Sequence, residues 1–98
     1  MARYDVYAIR DSEFLVDVRA EACDGLSRVV AVPLLAVRTA PAPIVGLNPI
    51  LAFRGSSYVL MTQYITSIPR QRLGAPVDNL DAHWDDILRA LDFLITGI

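Results

Sequence analysis

The chain has 98 residues, of which 54% are apolar and 20% charged, and its net charge is −2. This length predicts one domain over residues 1–98, and the apolar excess over the usual ~45–50% excludes a disordered chain and predicts a surface for self-association or a partner. The acidic balance excludes a basic footprint for direct nucleic-acid binding, and no apolar run approaches the roughly 18–20 residues of a membrane span.

The first half of the chain has the pattern of β-strands. Tyr4–Ile9 and Phe14–Val18 flank a turn signal and predict a hairpin. Val29–Val37 is apolar at consecutive positions, which predicts a strand buried on both faces, and its Pro33 belongs at an edge or bulge. Thr39–Pro49 is a long loop rich in Pro, read either as a functional loop or as a connector with an apolar lining.

The second half adds another hairpin and then changes period. Ile50–Phe53 and Tyr58–Thr62 predict two strands around a Gly turn, and an irregular stretch follows from Pro69 to Pro76. Helical spacing in the last twenty residues predicts a helix with an apolar stripe and a stop at Gly97. The stripe consists of Leu80, Trp84, Ile87, Leu88, Leu91, Leu94, Ile95 and Ile98, and the candidate N-caps are Asp78, Asn79 and Asp81. Strands followed by one helix predict an α+β, mainly β, antiparallel sheet or small barrel.

Residue counts limit the chemistry. All nine cationic residues are Arg, which excludes a Schiff-base or P-loop lysine, and one Cys with one His excludes a conventional zinc set in a single chain. We expect no catalytic residues, no metal and no cofactor. The N-terminus lacks the apolar segment of a signal peptide, so a cytoplasmic protein without membrane contact is expected.

Several side chains allow two interpretations each. His83 is either a base or a surface helix residue, and Asp81 with Asp85 is either an ion site or a solvated face. Cys23 is predicted to be a buried or half-buried thiol. Arg70 and Arg72 are either an anion contact or solvated cations. Phe93, opposite the apolar stripe, indicates either a partner or a helix covered on both sides, by the sheet and by a loop or second subunit.

Seven short blocks in order along the chain carry a family resemblance. They are Tyr4–Tyr7, Phe14–Val18, Arg28–Leu34, Asn48–Leu51, Leu60–Thr62, Ile68–Pro69 and Gly97–Ile98. This pattern resembles the CcdB family, the toxins of bacterial type II toxin–antitoxin modules, over residues 4–98. The resemblance implies an SH3-like small barrel with one C-terminal helix, a homodimer, and a protein that is not an enzyme.

The resemblance also implies partners. Such a toxin binds the A subunit of DNA gyrase and traps the complex with cleaved DNA. A CcdA-like antitoxin with a disordered tail neutralises it, and the toxin contacts operator DNA only through the repressing complex with this antitoxin.

Site residues follow from the positions that match the family. The gyrase-binding positions are Ala22, Cys23, Asp92, Ile95, Thr96, Gly97 and Ile98, and the antitoxin-binding positions are Arg10 and Asp17. Thr96 stands where the family has Trp, and Trp is a typical interface hot spot whereas Thr is not.

Two other functions stay open. The first is an attenuated relic that acts only as a binding or regulatory protein, which the Thr96 position motivates. The second is an mRNA endonuclease of the MazF or PemK kind, which needs cations to hold phosphates, with Arg3, Arg19, Arg28 and Arg70 as candidates.

Overall fold

Seven antiparallel strands and one α-helix form the described part of the chain, residues 2–97 of a computed structural model. The helix, α1, spans Trp84–Thr96. Hydrogen bonding joins the strands in the order β4-β5-β3-β2-β1-β7, and β6 also pairs with β3. The strands are β1 (Asp5–Arg10), β2 (Glu13–Asp17), β3 (Arg28–Ala36), β4 (Ile50–Phe53), β5 (Ser56–Leu60), β6 (Thr66–Pro69) and β7 (Asp78–Asn79). This curled, half-barrel sheet with its C-terminal helix confirms the predicted fold class.

Both predicted hairpins are present. β4 and β5 meet at Arg54 and Gly55, whose φ angles of 52° and 76° give a turn of the type I′ kind that matches the twist of the sheet. β1 and β2 meet at Asp11 and Ser12, with Ser12 at φ 58°. Turn chemistry therefore sets both registers locally.

The long strand β3 is buried or half-buried on both faces from Ala31 to Ala36, as its apolar run predicts, whereas Val30 is 37% exposed. Val32 and Leu34 belong to the core under α1, whereas Val29 and Ala31 belong to a smaller cluster on the opposite face. Pro33 lies where the neighbouring strand changes, because β6 pairs as far as Ala31 and β5 pairs from Leu34 onward. A residue without an N–H group is tolerated at such a break in the ladder.

The main core lies between the sheet and α1. An aromatic trio of Phe14, Phe53 and Tyr58 packs edge to face, with ring centroids 5.0–5.7 Å apart. Its other buried members are Tyr4, Val6, Val16, Val18, Val32, Leu34, Ala36, Leu51, Leu60, Leu80, Ile87 and Ala90. The cluster on the opposite face is smaller, and Ile68 and Leu73 pack against it.

The buried stripe of α1 differs from the predicted one. Ile87 and Ala90 are fully buried and Leu91 packs on the core, but Ile95 is 77% exposed and Trp84 is 52% exposed. At ~100° per residue, Ile95 lies about 90° from the centre of the buried arc, and Ala90 lies inside that arc. The predicted stripe was therefore wrong at Trp84 and Ile95, because the helix is rotated toward Ala90.

The long loop covers part of the side of α1 that faces away from the sheet. Its Gly46 lies against the ring of Phe93, and Gly46 and Pro49 line a small surface cavity with Asp86 and Arg89 of α1. The sheet covers one side of the helix and the loop covers part of the other. Phe93 contacts the loop at Gly46 and is still 36% exposed, so the loop covers only part of its ring and the partner interpretation stays open.

The segment between β5 and α1 is more regular than predicted. β6 and β7 lie in or beside the stretch predicted to be irregular, together with a 3₁₀ turn at Arg70–Arg72. The helix begins at Trp84 after a 3₁₀ turn at Asp81–His83, and the amide of Asp81 donates to Asn79 Oδ1 at 2.7 Å. Among residues 2–97, the structure has no helix of the length and apolar character needed to span a membrane.

Candidate functional site

The last turn of α1 presents four of the predicted gyrase-binding residues. Asp92, Ile95, Thr96 and Gly97 are all exposed, and Ile95 is an aliphatic side chain that no core residue covers. The Thr96 hydroxyl donates to the carbonyl of Asp92 at 2.6 Å, so it is bonded within its own helix. Gly97 ends the helix in the left-handed conformation at φ 78°, as predicted. Ile98, the last predicted contact, lies outside the described residues.

The other predicted gyrase-binding pair lies in a 3₁₀ turn, Glu21–Cys23, which we call the Cys23 turn. Ala22 is exposed and Cys23 is half-buried, as predicted for the thiol. The amide of Cys23 donates to the carbonyl of Ala20 at 2.9 Å, and the amide of Leu26 donates to the carbonyl of Cys23 at 3.0 Å. The backbone of this turn is therefore closed on itself, and Ala22 lies at the surface.

The described chain does not bring these two groups together. Glu21 lines a surface cavity of about 370 Å³ with Trp84, the first residue of α1. Thr96 is twelve residues farther along the helix, about 18 Å at ~1.5 Å per residue. The Cys23 turn and the last turn of α1 thus lie near opposite ends of one helix.

The two predicted antitoxin-binding residues occupy different environments. Arg10 is exposed, and its Nε lies 2.8 Å from Glu13 Oε2 across the hairpin. Asp17 is only 2% exposed and is turned into the protein. Glu13 and Asp17 are the two ends of β2, about 13 Å apart at ~3.3 Å per residue, so Arg10 lies near the turn of the hairpin and Asp17 near its other end.

Asp17 instead forms a buried ion pair with Arg19. Arg19 Nε donates to Asp17 Oδ1 at 3.1 Å, and Arg19 Nη2 donates to Asp17 Oδ2 at 2.9 Å. The hydrogen bond with Asp17 raises the pKa of the Arg19 guanidinium above its ordinary value. The strand ends at Asp17 and Arg19 follows in a bend, where the amide of Arg19 also donates to Asp17 Oδ1 at 3.0 Å. This pair was not among the expectations from the sequence.

Arg19 reaches beyond Asp17 to the backbone. Its Nη1 donates to the carbonyl of Cys23 at 2.9 Å and to the carbonyl of Arg28 at 3.1 Å. Arg70, which directly follows β6, adds a second contact: its Nη1 donates to the carbonyl of Asp24 at 3.0 Å. Two guanidinium groups therefore hold the backbone around the Cys23 turn.

Tyr7 lies beside this polar cluster. Its side chain is 1% exposed, and its hydroxyl has no hydrogen-bond partner among the described residues. Burial raises the Tyr7 pKa from 10.0 to about 12, and the negative charges of Asp5 and Asp17 add to the shift. The phenol is therefore kept neutral next to the Asp17–Arg19 pair.

The arginines suggested for phosphate contacts are mostly bonded within the chain. Arg19 is buried against Asp17, Arg28 holds the hydroxyl and carbonyl of Ser67, and Arg70 holds the carbonyl of Asp24. Arg3 lies over the ring of Tyr4 at 4.8 Å. These contacts give all four cations structural partners within the described part of the chain.

The remaining polar candidates, His83 and Asp85, also contact other groups of the protein. His83 Nε2 lies 3.1 Å from the carbonyl of Ala52. Asp85 pairs with Arg89 one helical turn away at 2.7 Å. Residues 2–97 contain no group of three or more potential ligands that could hold a metal ion.

Comparison with known families agrees with this architecture. The family described as "CcdB protein" matches residues 3–97. No curated protein sequence matches the chain. Because the match spans nearly the whole chain, the protein belongs to the CcdB family, the toxins of bacterial toxin–antitoxin modules.

Proposed function

We propose that this toxin binds the A subunit of DNA gyrase and traps the complex with cleaved DNA, without itself being an enzyme. The observation that carries the proposal is the exposed last turn of α1, where Ile95 is 77% exposed between Asp92 and Thr96. An isolated aliphatic side chain on a rigid helix end is suited to a pocket in a partner, because its rotamer freedom is already restricted.

A matched pair of substitutions tests this role of Ile95. Ile95→Ser and Val45→Ser both remove an exposed aliphatic group, since Val45 is 94% exposed in the long loop. We expect Ile95→Ser to weaken binding to the gyrase A subunit about tenfold or more, and Val45→Ser to leave it unchanged. Calorimetry with the purified A subunit measures both.

The activity itself is tested with gyrase and supercoiled plasmid. We expect the protein to increase the amount of linear, cleaved DNA trapped on gyrase, and Ile95→Ser to reduce this increase. Failure of the wild-type chain to stabilise cleavage with the gyrase of its own host would contradict the proposal.

The Thr96 position favours a second candidate function. A threonine whose hydroxyl is bonded to Asp92 offers only a methyl group where the family offers an indole. On this alternative the chain is an attenuated relic that binds partners without trapping gyrase. Binding to the A subunit without stabilised cleavage would distinguish the relic from an active toxin.

We further propose that the toxin is a homodimer, neutralised by a CcdA-like antitoxin, and that it reaches operator DNA only within their complex. Exposed apolar residues on several elements, Ile9, Ile50 and Ile95 among them, support an associated state. Light scattering is expected to give twice the chain mass of 10.8 kDa. A gel shift of operator DNA is expected with the complex and not with the toxin alone.

A further inference from the structure

The Asp17–Arg19 ion pair behind the Cys23 turn also bonds backbone carbonyl groups. Asp17 fixes the Arg19 guanidinium through two parallel hydrogen bonds, and this leaves Nη1 directed at the carbonyls of Cys23 and Arg28. Asp17 Oδ1 also accepts from the amide of Arg19 at 3.0 Å. A guanidinium held in this way has little freedom, so the carbonyl of Cys23 is held as well.

Arg70 provides a second, independent link. It belongs to a segment 46 residues away from Asp24 in sequence, and its Nη1 bonds the carbonyl of Asp24 at 3.0 Å. Its own amide donates to the carbonyl of Ser27 at 2.9 Å. Consecutive carbonyls, those of Cys23 and Asp24, are therefore bonded to arginines from two different parts of the fold.

We infer that Arg19 and Arg70 are positioning residues that clamp the Cys23 turn, so that Ala22 and Cys23 meet the gyrase A subunit in one fixed conformation. This inference rests on the proposed function. It also assigns Asp17 an indirect role: buried at 2% exposure, its carboxylate orients Arg19 and does not itself meet a partner. A clamped turn loses little conformational freedom on binding, which favours affinity.

The single cysteine is a built-in probe of the clamp. Cys23 is half-buried and is the only cysteine in the chain, so its labelling rate by N-ethylmaleimide reports on this turn. Arg70→Met keeps the aliphatic stem of a half-exposed residue and removes the bond to Asp24. We expect it to raise the Cys23 labelling rate about three- to tenfold, with faster amide exchange at Cys23, Asp24 and Leu26.

Three further variants test whether the change in Cys23 labelling depends on the bonds from Arg19 and Arg70. Arg70→Lys keeps a donor for the Asp24 carbonyl and is expected to restore near wild-type labelling. The double variant Asp17→Asn with Arg19→Gln loosens the same turn from the buried side without leaving an unpaired charge. Arg54→Met removes another bond from a guanidinium to a distant carbonyl, that of Val77 at 2.8 Å, and is expected to leave Cys23 unchanged.

Binding to the gyrase A subunit completes the test. We expect Arg70→Met to weaken binding about tenfold, whereas Arg70→Lys and Arg54→Met bind as the wild type does. Unchanged Cys23 labelling and exchange in folded Arg70→Met and in the double variant would overturn the clamp. A loosened turn with unchanged gyrase affinity would overturn its positioning role.

One result separates the clamp from the proposed function. If the wild-type chain does not bind the A subunit, the proposed function is wrong. The clamp is then supported or overturned by Cys23 labelling and amide exchange alone.

Discussion

The ring of Phe93 lies directly against the backbone of Gly46. A Cβ atom added at Gly46 would come within 3.0 Å of Phe93 Cε2 and 3.1 Å of Cδ2, and Gly46 has a φ of +86°. The loop can therefore approach the helix this closely only with glycine at this position. The same contact covers part of the outer side of α1, where Phe93 remains 36% exposed.

Replacing Gly46 with Ala is expected to destabilise the protein by about 1–3 kcal/mol, because the new Cβ meets both an unfavourable φ and the Phe93 ring. In a domain of this size, each kcal/mol lowers the melting temperature by roughly 4–8 °C. Calorimetric melting measures the effect.

Two other glycines separate the cost of the positive φ from the cost of the contact with Phe93. Gly55 has a φ of +76° but open space around its Cβ position, and Gly74 has open space and no positive φ. We expect Gly46→Ala to lose the most stability, Gly55→Ala less and Gly74→Ala the least. Equal losses at Gly46 and Gly55 would show that the Phe93 contact contributes nothing.

Restoring an indole at position 96 is expected to strengthen the gyrase interaction. Thr96→Trp places a large aromatic group on the exposed last turn. Hot-spot aromatics are worth about 2 kcal/mol or more, which is about thirtyfold or more in affinity. Affinity for the A subunit and the yield of trapped cleaved DNA are the two measurements. Thr96→Val, which removes only the hydroxyl bonded to Asp92, is the matched control. No gain from Thr96→Trp would show that this position does not limit activity.

Removing one partner of the Asp17–Arg19 pair is expected to destabilise the protein strongly. Asp17→Ala leaves a guanidinium buried at 7% exposure without its carboxylate, and such changes destabilise by about 3–5 kcal/mol. The double variant with Arg19→Ala is expected to lose less than the sum of the two single variants. Urea denaturation of all four proteins gives the coupling free energy. Additive losses would mean that the two side chains do not interact.

The raised pKa of Tyr7 predicts how the free energy of unfolding changes at alkaline pH. Because its pKa is raised from 10.0 to about 12 in the folded chain, the unfolded state releases this proton first. The free energy of unfolding is therefore fully retained below pH 10.0 and falls as the pH rises toward about 12.

Tyr7→Phe is the control for this dependence. The variant is expected to lack the part of the alkaline loss of stability that Tyr7 causes. It is expected to be at least as stable as the wild type at neutral pH, because the hydroxyl it removes is buried and has no partner among residues 2–97. Urea titrations of both proteins at rising pH measure the difference. A large loss of stability in Tyr7→Phe at neutral pH would reveal a hydrogen bond to the hydroxyl.

Local patterns in the sequence determined most of the architecture. Alternation placed the strands of both hairpins, the run from Val29 predicted a strand buried on both faces, and helical spacing with Gly97 located the end of α1. These signals depend on neighbouring residues alone. The short strands β6 and β7 escaped prediction because each is held mainly by pairing with a distant strand, β3 or β1.

The tertiary structure decided which side chains reach the surface. Spacing could show that α1 is amphipathic, but packing against the sheet placed Ala90 in the core and left Ile95 exposed. Matching positions could mark Asp17 as a candidate partner contact, but only the tertiary structure shows that it is 2% exposed and paired with Arg19. The physical reason is the same in both cases: a helical or strand period gives the direction of a side chain relative to its own backbone, and only packing against distant elements determines which directions are covered.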